Sequence, residues 1–342
     1  MPDIEHTIFD TNNFCAHDRF NIWQKSISVI FDATLDYRVN PYSFQARVEA
    51  ANFGQILLGE VVSQTQRFSR PKEKILSDGL DCYLLQVFKK GYCEVEKGQS
   101  VQKVKPGDIY IIDASAPLDA IDYDFSHLTA MIPRHVLSPF LNQPDAHHRH
   151  VISGDIPLAK LLYEYILSLH SNRDGMSQDD GGAASTALLS LTQSLLNSKS
   201  ANATGDYDAQ AVDLAIRSKI IDFIEDNLHN PKLGPSIIVN AFGISRTQLY
   251  RIFDTLNGVA SEIRRRRLRR SLQDLLNPNH YQLNIGQIAF RWGFKSESDY
   301  SRAFKRQYQR SPSEARAART NMLSSNEKLT NEYEKWIAGL AM

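Results

Sequence analysis

The C-terminal third of this chain carries one motif twice, and that duplication constrains the fold more than any other feature. Ile238-Val239, Gly243, Ser245, Leu249, Arg251 and Phe253 are matched about 50 residues later by Ile288-Ala289, Gly293, Ser296, Tyr300, Arg302 and Phe304, with one extra residue in the second turn. In each copy a short helix ends at a glycine, which enters the left-handed backbone of a sharp reversal without steric cost. A serine two or three residues on opens the next helix; Ser245 with Gln248, and Ser296 with Asp299, have the spacing of capping boxes. Helical spacing gathers Leu249, Ile252, Phe253 and Leu256 on one face, leaving Thr247, Tyr250, Arg251 and Asp254 outward. In the second copy Tyr300, Ala303 and Phe304 face in, while Ser298, Ser301, Arg302, Lys305 and Arg306 face out. Helix, tight glycine turn and a second helix with an arginine-bearing outer face make the helix-turn-helix pattern.

Charge supports a separate module there. The whole chain of 342 residues has 39 basic and 39 acidic side chains, a balance that taken alone argues against nucleic acid. Residues 212–320, however, hold 19 Lys and Arg against 10 Asp and Glu, and the remainder holds 20 against 29. A basic module is therefore joined to an acidic one with a different task. No run approaches the roughly 18 consecutive apolar residues of a membrane span. The start, MPDIEHTIFD, lacks the basic and apolar regions of a secretory signal. Cys15, Cys82 and Cys93 have no metal spacing, as expected of reduced thiols in a cytoplasm.

The remainder divides in turn. Up to about residue 135, DCYLLQVFKKG, YCEVEKGQ, SVQKVKPGD and IYIIDA read as short strands divided at Gly91, Gly98 and the Lys105–Asp108 turn, favouring a sandwich or barrel. Leu158, Leu161, Leu162, Tyr165, Ile166 and Leu169, then Leu188, Leu191, Leu195 and Leu196, have helical spacing. SNRDGMSQDDGG between them reads as a mobile loop, and NSKSANATGDYD as a linker. The expected organisation is α+β: a barrel or sandwich domain over 1–150, a helical segment over 151–200, a linker over 201–211, an all-α domain over 212–320, and a tail over 321–342 with no assigned role.

GISRTQLYRIFDTLNGVASEIRRRRLRRSLQDLL and IGQIAFRWGFKSESDYSRAFKRQYQRSPSEAR closely resemble the double helix-turn-helix DNA-binding domain of AraC/XylS-type transcription regulators, over about 100 residues. Two features depart from the family pattern: Ile238-Val239 stands where Leu-Ala is usual, and Glu297 with Asp299 places acids at the mouth of the second recognition helix. By position in the motif, Thr247, Tyr250 and Arg251 would face bases at one site, and Glu297, Ser298, Ser301 and Arg302 at the next. Arg251 and Arg302 suit bidentate contact with guanine. Glu297 reads either as an acceptor from cytosine or as an acid favoured by the helix dipole. Arg246, Lys295, Lys305 and Arg306 are assigned to phosphate, which supplies affinity without sequence information. Arg264 to Arg267, Arg269 and Arg270 wrap most of the connecting helix; they read either as nucleic-acid contacts or as a solvated face paired with Asp254, Glu262 and Asp274. Trp292 and Phe294 read as core, and Pro312 after Ser311 begins a final short helix through Glu314.

The stretch from FNIWQKSIS through KVKPGDIYIIDASAP to MIPRHVL, roughly 17–140, resembles the cupin-type effector domain of the XylS-like branch. The resemblance implies a β-barrel sensing a small organic, often aromatic, effector, with the helices 155–170 and 183–198 serving either a homodimer contact or the domain's own core. It further implies double-stranded promoter DNA and RNA polymerase as partners, and an activator rather than an enzyme. Arg67, Arg70, Tyr83, Gln86 and Tyr92 are candidate pocket residues. The alternatives are a regulator controlled by a partner or by its own abundance, and a metal-dependent cupin enzyme fused to the DNA-binding domain. Against the enzyme, His6, His17, His127 and His135 are the only histidines before residue 136 and include no His-x-His, so no metal and no cofactor are expected. His147, His148 and His150 read as a surface loop, and Cys82 and Cys93, on neighbouring strands, as buried small hydrophobes.

Overall fold

In a computed structural model, residues 3–97, 100–198, 207–253, 258–325 and 331–340 are described. The chain runs β1 (Glu5–Asp10), α1 (Arg19–Ile27), β2 (Asp32–Leu35), β3 (Ala46–Asn52), β4 (Leu57–Ser63), β5 (Gln66–Arg70) and α2 (Lys72–Asp78). It continues with β6 (Cys82–Lys97), β7 (Ser100–Val104), β8 (Ile109–Asp113), β9 (Leu118–Pro133), α3 (Arg134–Leu137), β10 (His150–Ile152), α4 (Pro157–Ser171) and α5 (Gln178–Asn197). Helices follow to the end: α6 (Tyr207–Asp226), α7 (Pro235–Phe242), α8 (Arg246–Ile252), α9 (Val259–Leu276), α10 (Ile285–Arg291), α11 (Glu297–Tyr308), α12 (Pro312–Ser325) and α13 (Glu332–Leu340). Two units result: residues 1–71, 80–203 and 327–341 form one, and 72–79 with 204–326 form the other. No described helix is long and apolar enough to cross a membrane.

The first unit is an antiparallel sheet in the order β1-β3-β4-β9-β6-β8-β10, with β5 joining β2 to β9 and β7 lying against β6. Both faces of the sheet are covered, which explains uninterrupted apolar runs such as IYIID, buried throughout β8. Tyr110 and Ile112 point into an inner core with Trp23, Phe68 and Phe88. Ile109 and Ile111 point the other way, against α4 and α5. The leucines of α4 and α5 are taken up there: Leu162, Leu169, Leu188, Leu195 and Leu196 are buried, while Leu161 is exposed.

Gly91 does not end a strand, contrary to the sequence reading. It sits at φ +72 within the 16-residue β6, where the register to β9 shifts. A Cβ at Gly91 would lie 2.2 Å from the Tyr123 carbonyl oxygen, so only glycine fits this bulge. Across from it Asp124, at φ 33, accepts hydrogen bonds from Thr65 N and Oγ1 at 3.0 Å, fixing the passage from β4 to β5. These two irregularities bend the longest strands and curl the sheet around its inner core. The merged strand also places Cys82 and Cys93 together on β6, both buried, rather than on neighbouring strands. The division expected at Gly98 lies outside the described residues. The loop expected over SNRDGMSQDDGG is shorter, because Ser177 and Asp180 form a complete capping box that starts α5 at Gln178.

Two further segments differ from the sequence reading. Lys72–Gly79 is grouped with the helical unit, where Leu76 is buried among Leu268, Leu272 and Leu275 and Arg319 Nη1 donates to the Asp78 carbonyl at 2.6 Å. The tail's α13 belongs to the sheet unit: Tyr333 and Ile337 are buried in its inner core. The 201–211 linker reading falls mostly on undescribed residues, with α6 beginning at Tyr207.

Candidate nucleic-acid interface and internal cavity

In the helical unit α6, α7, α8 and the start of α9 enclose one core, and the end of α9 with α10, α11 and α12 encloses a second. Gly243 ends α7 in the left-handed conformation, at φ +61. Ser245 Oγ then accepts from Gln248 N at 3.1 Å, which starts α8. Leu249, Ile252 and Phe253 are buried, while Thr247, Tyr250 and Arg251 are exposed. In the second copy Gly293 sits at φ +69, and Ser296 Oγ accepts from Asp299 N at 3.1 Å to start α11. Tyr300, Ala303 and Phe304 are buried, Glu297, Ser298 and Arg302 exposed, and Ser301 half-buried. Both motifs therefore present the expected polar faces. Leu256 and Asp254 lie outside the described residues.

The acids at the mouth of α11 have local partners. Asp299 does not return its carboxylate to the cap; it receives Arg302 Nη2 at 2.5 Å on the exposed face. Arg246 Nη2 donates to Ser236 Oγ at 2.9 Å, tying α8 to α7, and Lys295, Lys305 and Arg306 are exposed. The arginine run on α9 is mostly engaged within the unit. Arg265 and Arg266 meet Glu262 at 2.7 and 2.6 Å, Arg270 meets Glu225 at 3.0 Å, and Arg267 donates to the Leu228 and Asn230 carbonyls. Glu225 is the partner the sequence did not suggest. Asp274 instead accepts from Trp292 Nε1 at 2.8 Å and His280 Nδ1 at 3.0 Å. Arg264 is exposed, and it shares an open cleft with Lys295, Arg302 and Arg306.

Inside the curled sheet lies a cavity of about 80 Å³, closed on one side by Ile27 and Ile30 and on another by Tyr333, Trp336 and Ile337 of α13. Among the described residues its wall is apolar apart from Gln86, Tyr110, Asp122, His127, Thr129, Cys93 and Tyr333, whose hydroxyl is engaged by Ser26. Strand pairing groups these: Gln86 is opposite Tyr110 and Thr129, and Cys93 is opposite Asp122. Burial pushes the Asp122 carboxyl up to about 7, against a lowering by its hydrogen bond with Cys93. Burial likewise pushes His127 down to about 4, so its ring is neutral at pH 7, and pushes the Cys93 thiol up. His127 Nε2 stands 3.7 Å from Asp122, beyond a hydrogen bond, and its Nδ1 is 3.2 Å from Thr129 Oγ1. The buried Tyr110 hydroxyl has no hydrogen-bond partner among the described residues.

Of the five candidate pocket residues, Gln86 lies on this wall and the other four do not. Arg67 pairs with Asp119 at 2.6 Å on the outer surface. Arg70 is buried, but its guanidinium is engaged by the Ala114 and Ile30 carbonyls. Tyr83 faces the opposite side of the sheet, donating to the Pro144 carbonyl at 2.7 Å and accepting from Arg134. Tyr92 stacks on Tyr123, with Lys103 over its ring. Alternation alone assigns each residue to a face but does not say which face is inner, and the bulge at Gly91 shifts the parity beyond it. No local signal marks these groups: Asp122 stands between Asp119 and Asp124 on β9, His127 follows Ser126, and Tyr110 lies in the apolar run of β8.

Within the histidine loop His147 is buried, contrary to the surface reading, while His148 and His150 are half-buried. His147 is buried beside Arg134, which is itself buried and bonded to Asp81, Asp113 and Asp145. Among the described residues, Glu49, Glu60 and His170 come close enough to share a metal ion. Lys89 meets Glu60 at 2.7 Å and Arg173 meets Glu49, so these carboxylates already have cations. The His170 hydrogen bond, opposed by partial burial, holds Glu60 well below the usual carboxylate range. The group reads as an ion-pair network joining α4 to the sheet.

A helix-turn-helix domain model matches residues 238–318, and an AraC-binding-like domain model matches residues 26–198. The transcriptional activator NphR of a Rhodococcus species is 24% identical over 275 residues, covering 79% of this chain and 80% of that protein. An uncharacterized protein in the nit 5′ region of Bacillus sp. strain OxB-1 is 23% identical over 247 residues, covering 69% of this chain and 92% of that one. The crystal structure of the AraC-like transcriptional activator CuxR superposes with a TM-score of 0.54 at 22% identity, covering 78% of this chain and 95% of that one. The last shows a common fold.

Proposed function

This chain belongs to the AraC-like family of DNA-binding transcription regulators, and from that premise we propose that it is a sequence-specific activator controlled by a small apolar effector held in the sheet cavity. The observation that carries the DNA half is the pair of serine-capped helices α8 and α11, each following a left-handed glycine and each with an arginine on its exposed face. Such helices enter successive major grooves. Thr247, Tyr250 and Arg251 read one half-site, and Glu297, Ser298, Ser301 and Arg302 the other. Arg246, Lys295, Lys305 and Arg306 hold phosphate, and Arg264 joins them from the shared cleft.

The cavity supports the effector half, with an apolar lining and a few fixed polar groups. Occupancy changes DNA affinity only through a difference in affinity between two states of the protein. Recruitment of RNA polymerase completes the activator reading. A homodimer would use the outward faces of α4 and α5, where Leu161 is exposed, because the inward leucines already pack on the sheet. Fluorescence anisotropy with the DNA upstream of the gene tests the DNA half. Affinity should fall by about 10³ or more between 50 and 200 mM salt if six or more phosphates are neutralised. A flat salt response refutes the reading.

A further inference from the structure

The polar wall of the cavity says which head group an occupant carries. Of the described lining residues none is lysine or arginine, so an anion entering the cavity meets no cation there. Arg149 acts on Tyr110 electrostatically but does not line the cavity. The one acid on the wall, Asp122, is buried in apolar surroundings with the Cys93 thiol as its hydrogen-bond donor and a neutral His127 at 3.7 Å. A carboxylate accepts several hydrogen bonds, and leaving its capacity unfilled in an apolar interior is costly. Tyr110, on the adjoining strand pair, adds a buried hydroxyl without a partner. Two polar groups therefore converge on one apolar space: the Asp122 carboxyl, which can accept more hydrogen bonds than the Cys93 thiol supplies, and an unpartnered Tyr110 hydroxyl that can donate or accept.

We propose that the cavity selects small apolar molecules whose polar end is a hydrogen-bond donor, a hydroxyl or an amine, and rejects carboxylates, with Asp122 receiving the donor and Tyr110 completing the head-group contact. This rests on the reading of the cavity as the effector site. A ligand carboxylate beside Asp122 would be a second acid in the same apolar space, with no lysine or arginine on the described wall, so the two would be held to a single proton; an O–H or N–H instead adds a donor for the Asp122 oxygens. Phe31, Phe68 and Trp336 add aromatic side chains to the lining, which suits a hydrocarbon body.

Titration calorimetry of the full chain with four matched probes, toluene, benzyl alcohol, benzylamine and benzoate, tests this. At least one donor-headed probe should bind tighter than both toluene and benzoate by about tenfold or more. Preference for benzylamine means that Asp122 meets its ligand ionised, and preference for benzyl alcohol that a neutral head suffices; either supports the proposal. Asp122→Asn should narrow the gap to benzoate, and Tyr110→Phe, which breaks no existing bond, should weaken the donor-headed probe and leave toluene unchanged. Benzoate binding as tightly as the donor-headed probes overturns the proposal and leaves the cavity reading standing, as does equal binding of toluene. If none of the four binds, toluene included, the cavity reading fails and the proposal with it.

Discussion

Ser26 on α1 is hydrogen-bonded to Tyr333 on α13, 307 residues further along the chain, and its hydroxyl also meets Glu334. Asn331 Nδ2 adds a donor to Ser26 Oγ at 3.2 Å. α13 is thus fastened to the sheet unit although the preceding α12 belongs to the helical one. Tyr333 also packs its ring against Phe9 at 6.2 Å. Tyr333→Ala should lower the stability of the sheet unit by about 3–5 kcal/mol, as large aromatic truncations in cores do. Tyr333→Phe, which removes the hydroxyl alone, should cost about 0.5–1.5 kcal/mol. Differential scanning calorimetry reads both, and equal effects would show that the ring contributes nothing.

The two turn glycines should behave differently. Both occupy left-handed backbone, where an L side chain costs about 1–2 kcal/mol. A Cβ on Gly243 would meet open space, so Gly243→Ala should cost that strain and little more. At Gly293 a Cβ would lie 2.6 Å from the Leu228 carbonyl oxygen and 2.8 Å from Arg267 Nη2, the guanidinium that also caps the Leu228 and Asn230 carbonyls. Gly293→Ala should therefore destabilise the helical unit more than Gly243→Ala. Urea unfolding of the two variants orders them, and the reverse order would contradict the packing at Gly293.

Much of this was legible in the sequence, and what was missed shares one cause. The recognition helices were readable because local signals agree: Gly243 and Gly293 for the turns, Ser245 and Ser296 for the caps, and 3.6-residue periodicity for the faces. The strands before residue 135 were readable as strands, but the inward direction of Tyr110 and Asp122 depends on curvature set at Gly91 and Asp124, which alternation does not encode. The placement of Leu76 with α9, and of Tyr333 with Ser26, depends on contacts between residues hundreds of positions apart. The burial of His147 is equally hidden from local sequence, since it lies within electrostatic reach of Arg134 and Asp113, both distant or on other elements.

Arg302 and Asp299 make an exposed ion pair on the face of α11 that we propose meets DNA, and such pairs contribute little to stability. Their substitutions should separate in binding. Arg302→Ala should relax specificity in one half of the operator, at about 1–3 kcal/mol for the base concerned. Asp299→Ala removes a negative charge from the proposed DNA face and releases Arg302, so it should tighten binding to all sequences alike. Lys305→Ala should weaken all sequences equally and lower the salt slope by about 1. A selection experiment on randomised sites separates these outcomes; uniform weakening by Arg302→Ala would assign that residue to phosphate.

Asp122 and His127 make opposite pH-dependent contributions that should cancel. His127 falls from its ordinary value to about 4 on folding, so alone it makes the protein less stable as pH drops from 6.5 toward 4, where the unfolded chain binds the extra proton. Asp122 rises to about 7, so alone its protonated form favours the fold at low pH, and that contribution is lost as pH rises from about 4 to 7. Between pH 4 and 6.5 the folded pair keeps one proton on Asp122 while the unfolded pair keeps one on His127. Proton uptake is then nearly equal in the two states, and the pair adds almost no slope to the stability curve. Asp122→Asn removes one side of the balance. Its stability should fall below pH 6.5 by about 1.4 kcal/mol per pH unit more steeply than the parent's. His127→Phe should do the reverse and become more stable, relative to its own value at pH 7.5, as pH falls toward 4. Chemical denaturation from pH 4.5 to 7.5 measures all three proteins, and parallel curves for the parent and Asp122→Asn would mean that the two groups do not exchange the proton on folding.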